Sequence, residues 1–113
     1  MAMSPFAILA EPNRRRLLDA LIHGPMTVGD LVDHSGMSQP AVSKHLRLLR
    51  EGDFVCVEPD GQKRRYHLNP EPFQAIDAWL APYREFWAGR LDALERHLAD
   101  REKRSDKSGN QHE

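Results

Sequence analysis

The stretch Thr27–Glu51, TVGDLVDHSGMSQPAVSKHLRLLRE, reads as two helices joined by a tight turn. Thr27 offers a hydroxyl to the free amides of a helix start, and Asp30 stands three residues later, in the reciprocal position of a capping box. Val28, Leu31 and Val32 give this first helix one apolar face. It should end near His34, because Ser35 and Gly36 supply turn chemistry and glycine tolerates the left-handed conformation that closes a helix. Met37 is an apolar plug beside the turn. Ser38 caps a second helix, with Pro40 in the first turn where its missing amide has no helical partner. Ala41, Val42, Leu46 and Leu49 face inward, with Leu48 at their edge. The outward set is Gln39, Ser43, Lys44, Arg47 and Arg50, with no acid before Glu51.

Two short helices around a glycine-containing turn form a helix-turn-helix, whose second helix lies in the DNA major groove. Amide, hydroxyl and cationic side chains suit base edges and phosphates. An ordinary helical hairpin with a solvated charged face is the alternative, and the next segment weighs against it. Asp53–Glu58 (DFVCVE) alternates as a strand does, Pro59, Asp60 and Gly61 make a turn, and Gln62–Leu68 (QKRRYHL) returns as a second strand. Lys63, Arg64 and Arg65 then stand at or near a hairpin tip. A two-stranded ribbon is marginal alone and must lean on the helices. A basic hairpin directly after a helix-turn-helix is a wing, able to touch phosphate or the minor groove. A charged tip kept only for solubility explains three consecutive cations less well. The expected fold is mainly α with a small β-hairpin, a winged helix-turn-helix dimerising through its N- and C-terminal helices.

Upstream, Ser4–Ala10 (SPFAILA) suggests a short helix, and Phe6, Ile8 and Leu9 are too apolar for a free tail. Pro12 starts a helix to about His23, with Leu17, Leu18, Leu21 and Ile22 on its core side. Arg14, Arg15 and Arg16 near its start oppose the helix dipole. Ion pairs with Glu11 and Asp19 are the favoured explanation, ahead of a phosphate partner. Downstream, Phe73, Ile76, Leu80, Tyr83, Trp87, Leu91, Leu94 and Leu98 recur at steps of three or four, and Trp79 and Phe86 widen the stripe. Pro82 should kink or split this helix. Arg101 onward has no apolar residue and is expected to be disordered, so residues 1–101 form one domain and 102–113 a polar tail.

A stripe of that length exceeds what one small core can cover. The expectation is a homodimer, with Phe6, Leu9, Ile76, Leu80, Tyr83, Trp87, Leu91 and Leu94 at the interface; the alternative is a helix folded wholly onto its own domain. A two-fold dimer presents paired reading helices to a partly palindromic stretch of double-stranded DNA.

At 113 residues, 40% hydrophobic and 29% charged, the composition is that of an ordinary soluble domain. The net charge of −1 does not argue for nucleic acid. Residues 1–67 hold nine Lys/Arg against eight acids and the remainder seven against nine, so local clustering matters more. Neither a leader pattern nor eighteen consecutive apolar residues occurs, which predicts a cytoplasmic protein with no membrane partner. Cys56 stands alone, which removes any intrachain disulfide or multi-thiolate metal site; a small buried strand residue is the expectation. His23, His34, His45, His67, His97 and His112 lack mutually supportive spacing, apart from His97 and Asp100 on one helix face. No metal or other cofactor is expected. No nucleophile with base and orienter, no paired carboxylates in an apolar surround and no Gly-rich phosphate loop occurs, so the chain is not expected to be an enzyme.

From Ala7 to Leu98 the chain resembles the ArsR family of bacterial winged-helix repressors. The most specific part is MSQPAVSKHLRLLREGDFV (Met37–Val55), supported by LAEPNRRRLLDAL (Leu9–Leu21) and DGQKRRYHLNP (Asp60–Pro70). The resemblance implies a homodimer that binds promoters and represses its own or a neighbouring operon. It places Ser38, Gln39, Ser43, Lys44 and His45 at or near bases and phosphates, and Lys63, Arg64 and Arg65 in the wing. Departures concern the sensor. Many members carry paired cysteines at the start of the helix matching Thr27–His34, and this chain has none. Others use Asp-x-His followed ten residues later by His-x-x-Glu; His97 and Asp100 fit the second pair, but the first falls on Arg84 and Phe86. Members that sense persulfides use two cysteines, against one here. The usual metal sites are therefore not expected, and an unidentified small-molecule effector is left open. The alternatives are a metal-responsive repressor with an atypical His/Asp site and a winged-helix scaffold that binds protein.

Overall fold

A computed structural model describes the backbone from Met3 to His112 and the side chains as far as Glu102. The chain divides into two units, Met1–Ile76 and Asp77–Glu113.

The first unit begins with α1 (Pro5–Ala10), capped by the Ser4 hydroxyl accepting from the Ala7 amide at 3.1 Å. α2 (Pro12–Leu21) follows at once, with the Glu11 carboxylate accepting from Asn13 N. Contrary to the sequence expectation, the arginines at the start of α2 form no ion pair with Glu11 or Asp19 among the described residues. Arg14 is buried and donates through Nε to Ile8 O at 2.8 Å and through Nη2 to Ala7 O at 3.3 Å, while Arg15 donates through Nη1 to Leu9 O at 2.5 Å. They satisfy the carbonyls that α1 leaves open at its C-terminus, where the partial negative charge favours cations. The cost at one helix start is thus offset at another helix's end.

A two-residue strand, β1 (Met26–Thr27), leads into α3 (Val28–Ser35). The capping box forms as the residues dictate: Asp30 N donates to Thr27 Oγ1 at 3.1 Å, and Thr27 N to Asp30 Oδ2 at 3.0 Å. Gly36, at φ 75°, closes α3 and donates its amide to Val32 O. α4 (Gln39–Glu51) is capped by Ser38.

The end of α4 is closed by a non-glycine residue. The left-handed position is taken by Asp53, at φ 63°, rather than by Gly52. Phe54 N donates to Leu49 O at 2.9 Å and Asp53 N to Arg50 O at 3.0 Å, the two bonds of a Schellman motif. Gly52 is required for space instead: a Cβ there would lie 2.0 Å from Ile8 Cδ1. Absence of that carbon lets α1 close over the end of α4.

β2 (Val55–Asp60) and β3 (Lys63–Leu68) form the hairpin, in register Val55↔Leu68 through Asp60↔Lys63. Pro59 and Asp60 belong to the strand, not to the turn, and Gly61–Gln62 make a two-residue connection with φ 64° at Gly61. The ribbon does not stand alone: β1 adds to β3, with Met26 opposite Tyr66 and Thr27 opposite Arg65, giving the sheet order β1-β3-β2. Asn69 ties the sheet to the end of α4, donating its side-chain amide to Asp53 O at 2.9 Å and its backbone amide to Phe54 O at 3.0 Å.

The core comprises Ile8, Leu17, Leu18, Ala20, Leu21, Leu31, Val42, Leu46, Leu49, Phe54 and Val55. Phe73 and Ile76 pack on it from α5 (Pro70–His112), Phe73 edge-on to Phe54 with centroids 5.2 Å apart. α5 continues through Pro82 as one helical span. Its helical backbone runs through residues 102–112, the segment that composition reads as a polar tail. In the second unit Trp79, Tyr83, Phe86, Trp87, Leu91, Leu94 and Leu98 are all exposed. Among the described residues no helix is long and apolar enough to cross a membrane.

Candidate nucleic-acid interface

The site follows from which face of α4 the core consumes. Val42, Leu46 and Leu49 are no more than 1% exposed, and Ala41 and Leu48 are half-buried. Gln39, Ser43, Lys44, Arg47 and Arg50 are exposed, so the polar and cationic residues share the outward side. Ser38 is exposed at the start of α4 with its hydroxyl oxygen accepting from Ala41 N at 3.3 Å; its hydroxyl proton is free for another acceptor.

His45, which the resemblance places at or near bases and phosphates, lies elsewhere than the outward set. It is half-buried, and its Nδ1 is shielded from solvent with no hydrogen-bond partner among the described residues. Burial holds its pKa below the ordinary histidine value; Arg14 and Lys44 push the same way and Glu11 opposes them. With His45 half-buried, the exposed Gln39, Ser43, Lys44 and Arg47 are the base-reading candidates.

Lys63, Arg64 and Arg65 are exposed on the wing, at its tip and along β3. The strand register assigns them different electrostatics. Lys63 is opposite Asp60 and Arg65 opposite Glu58, and Arg65 Nε also lies 3.4 Å from Asp60 Oδ2. Arg64 is opposite Pro59 and has no acid across the ladder. It is the wing cation with the least internal compensation.

A cleft of about 350 Å³ between the start of α3 and the wing is lined by Thr27, Val28, Gly29, Gln62, Lys63, Arg64 and Tyr66. The sequence gives Thr27 a capping role, and β1 pairing also brings it to the wing, opposite Arg65. No motif announces a two-residue strand. The Asp30 carboxyl there is held below its usual range mainly by the Thr27 backbone amide, then by the Thr27 hydroxyl, with Arg65 and Lys63 contributing less. It serves the cap.

Of the residues expected at a dimer interface, Phe6 is exposed and Leu9 half-buried in the first unit, where Ile76 packs on the core. In the second, Leu80 is half-buried and Tyr83, Trp87, Leu91 and Leu94 are 42–53% exposed. Cys56 is a free, half-buried strand residue. Among the described residues no three His, Cys, Asp or Glu side chains converge as a metal-binding group.

Comparison with known proteins agrees with this geometry. Residues 11–56 match the family described as bacterial regulatory protein, arsR family. The chain is 41% identical over 83 residues to the HTH-type transcriptional regulator Rv2034 of Mycobacterium tuberculosis, spanning 74% of this chain and 75% of that protein. It is 35% identical to the transcriptional repressor SdpR of Bacillus subtilis, over 66% of this chain and 83% of SdpR. The crystal structure of the ArsR family transcriptional regulator RHA00566 superposes with a TM-score of 0.64 at 34% identity, covering 78% of this chain and 97% of that one. The chain belongs to the arsR family of bacterial regulatory proteins, as a winged helix-turn-helix regulator of transcription that binds DNA.

Proposed function

We propose that the protein is a cytoplasmic homodimeric repressor that binds a partly palindromic operator in its own or a neighbouring promoter. The observation carrying this reading is the exposed face of α4, where Gln39, Ser43, Lys44 and Arg47 project from a helix whose other side is fully packed. Gln presents a bidentate amide suited to adenine, and Lys and Arg present donors suited to guanine or phosphate. Arg64 leads the wing contacts, followed by Lys63 and Arg65, each of which must exchange an acidic neighbour for phosphate. Blocking of a promoter is supported by the relationship to SdpR, named as a transcriptional repressor.

Association of two chains is supported by the exposed apolar residues of α5 from Trp79 to Leu98, a stripe of roughly 30 Å at 1.5 Å per residue. Apolar surface of that extent marks a protein contact. Phe6 and Leu9 add apolar surface from the first unit. Release does not run through the family's usual metal sites, because Thr27–His34 lacks cysteine and Arg84 and Phe86 replace the Asp-x-His pair.

Selection of bound duplexes from a random pool tests the reading. The expected product is an enriched motif with two-fold symmetry and half-sites about 10 base pairs apart, one helical turn. No enrichment, or a single asymmetric half-site, contradicts it.

A further inference from the structure

His23 and His34 have no motif spacing in sequence, yet the fold brings them together. Their ring centroids are 6.3 Å apart, with the planes at 74°. Both side chains are exposed, so no desolvation opposes a ligand. His23 lies two residues past the end of α2, in the turn closed by His23 N donating to Ala20 O, and His34 lies in the last turn of α3. Two helix C-termini thus converge on the pair, each carrying partial negative charge on its open carbonyls. That field disfavours an anion and favours a cation.

We infer that His23 and His34 form a surface two-imidazole site for a divalent transition cation of the copper, nickel and zinc class. Metal–nitrogen bonds of about 2.0–2.1 Å place two ring centres about 5 Å apart on a tetrahedral ion and about 4.5 Å apart on adjacent corners of a square-planar one such as copper(II). From 6.3 Å the pair reaches this by closing about 1–2 Å and turning a nitrogen of each ring inward, within the freedom of two exposed side chains. No third His, Cys, Asp or Glu among the described residues completes the group, so water fills the other positions. The site is open and exchanging, and copper(II), the tightest of the divalent series, occupies it first. Once bound, the ion ties the end of α2 to the end of α3 and holds the first helix of the helix-turn-helix to its support. Neither histidine belongs to α4 or the wing, and the site is proposed independently of DNA binding.

The test is titration of the full-length protein with copper(II) chloride at neutral pH, followed by calorimetry and by electron paramagnetic resonance. One equivalent per chain is expected, with hyperfine splitting from two imidazole nitrogens. His23→Gln and His34→Gln should each weaken binding by at least about tenfold, the loss typical even of a supporting partner. Acidification to about pH 5 should release the ion, since a ligating imidazole must be unprotonated. Circular dichroism should show both variants folded. Absence of binding, or an equivalent retained with the same spectrum in the double variant, overturns the site.

Discussion

The outward face of α4 and the stripe of α5 beyond Asp77 are both exposed, but they differ in what the chain has done with the apolar half of each helix. On α4 the main apolar residues are covered within the first unit, with Val42 and Leu49 at 0% exposure, and the polar groups left outside before Glu51 are amide, hydroxyl and cationic. On α5 the apolar residues are themselves outside: Trp79, Phe86 and Leu91 are more than half exposed. Helical periodicity marks both stripes in the sequence equally well. It does not say whether the cover comes from the same chain. A polar remainder is chemistry for a nucleic acid, and an uncovered apolar stripe is chemistry for another protein surface.

The strongest challenge to that contrast is a pair of truncations. Phe54→Ala removes a ring that is 0% exposed and packed on Phe73, and should destabilise the first unit by about 3–5 kcal/mol. Trp87→Ala should leave the thermal unfolding of the single chain nearly unchanged and shift the mass seen by light scattering toward one chain. Equal destabilisation by the two changes would show that α5 is core after all. Next in size is Gly52→Ala, which pushes a carbon onto buried Ile8 and should cost about 1–3 kcal/mol in denaturant unfolding, as overpacking does. Ile8→Val in the same chain should restore part of the loss. Asp53→Gly should act in the opposite direction, stabilising by about 1 kcal/mol as it relieves a left-handed non-glycine residue.

The smallest effect is a pH dependence. The His45 pKa is lowered, chiefly by burial, so the unfolded chain takes up its proton first as pH falls. Its contribution is fully present above the ordinary value of 6.5 and is lost as pH falls through the lower folded value. His45→Gln should remove this part of the stability-versus-pH curve between neutral and mildly acidic solution, while leaving the association of α5 unaffected.

Much of the reading head was legible because its signals are local. The Thr27–Asp30 capping box, the Gly36 closure, the Ser38 cap and the inward set on α4 follow from residues within four positions of each other, and all form as read. Features that needed a distant partner were not legible. Arg14 and Arg15 look like an electrostatic liability until the carbonyl end of α1 is placed beside them. Met26 and Thr27 carry no strand pattern, since two residues cannot show alternation, and only β3 makes them a strand. Gly52 looks like the left-handed cap because glycine usually is one, whereas the space it leaves for Ile8 is visible only in three dimensions. The unequal wing cations likewise depend on cross-strand register, which the misplaced turn at Pro59 and Asp60 would have shifted. The meeting of His23 and His34 depends on the packing of α2 on α3 and has no sequence signature.

The most direct test is fluorescence anisotropy of a labelled duplex carrying the selected motif, titrated with protein across roughly 50–200 mM salt. If each dimer neutralises about six to ten phosphates, the slope of log affinity against log salt should be roughly −5 to −9. Arg64→Ala should reduce its magnitude by about two, one contact per chain, and weaken binding to every sequence alike. Ser43→Ala or Gln39→Ala should instead relax the preference for the motif and leave the slope unchanged. Weak binding that is indifferent to motif and unaltered by Arg64→Ala would contradict DNA recognition by α4 and the wing.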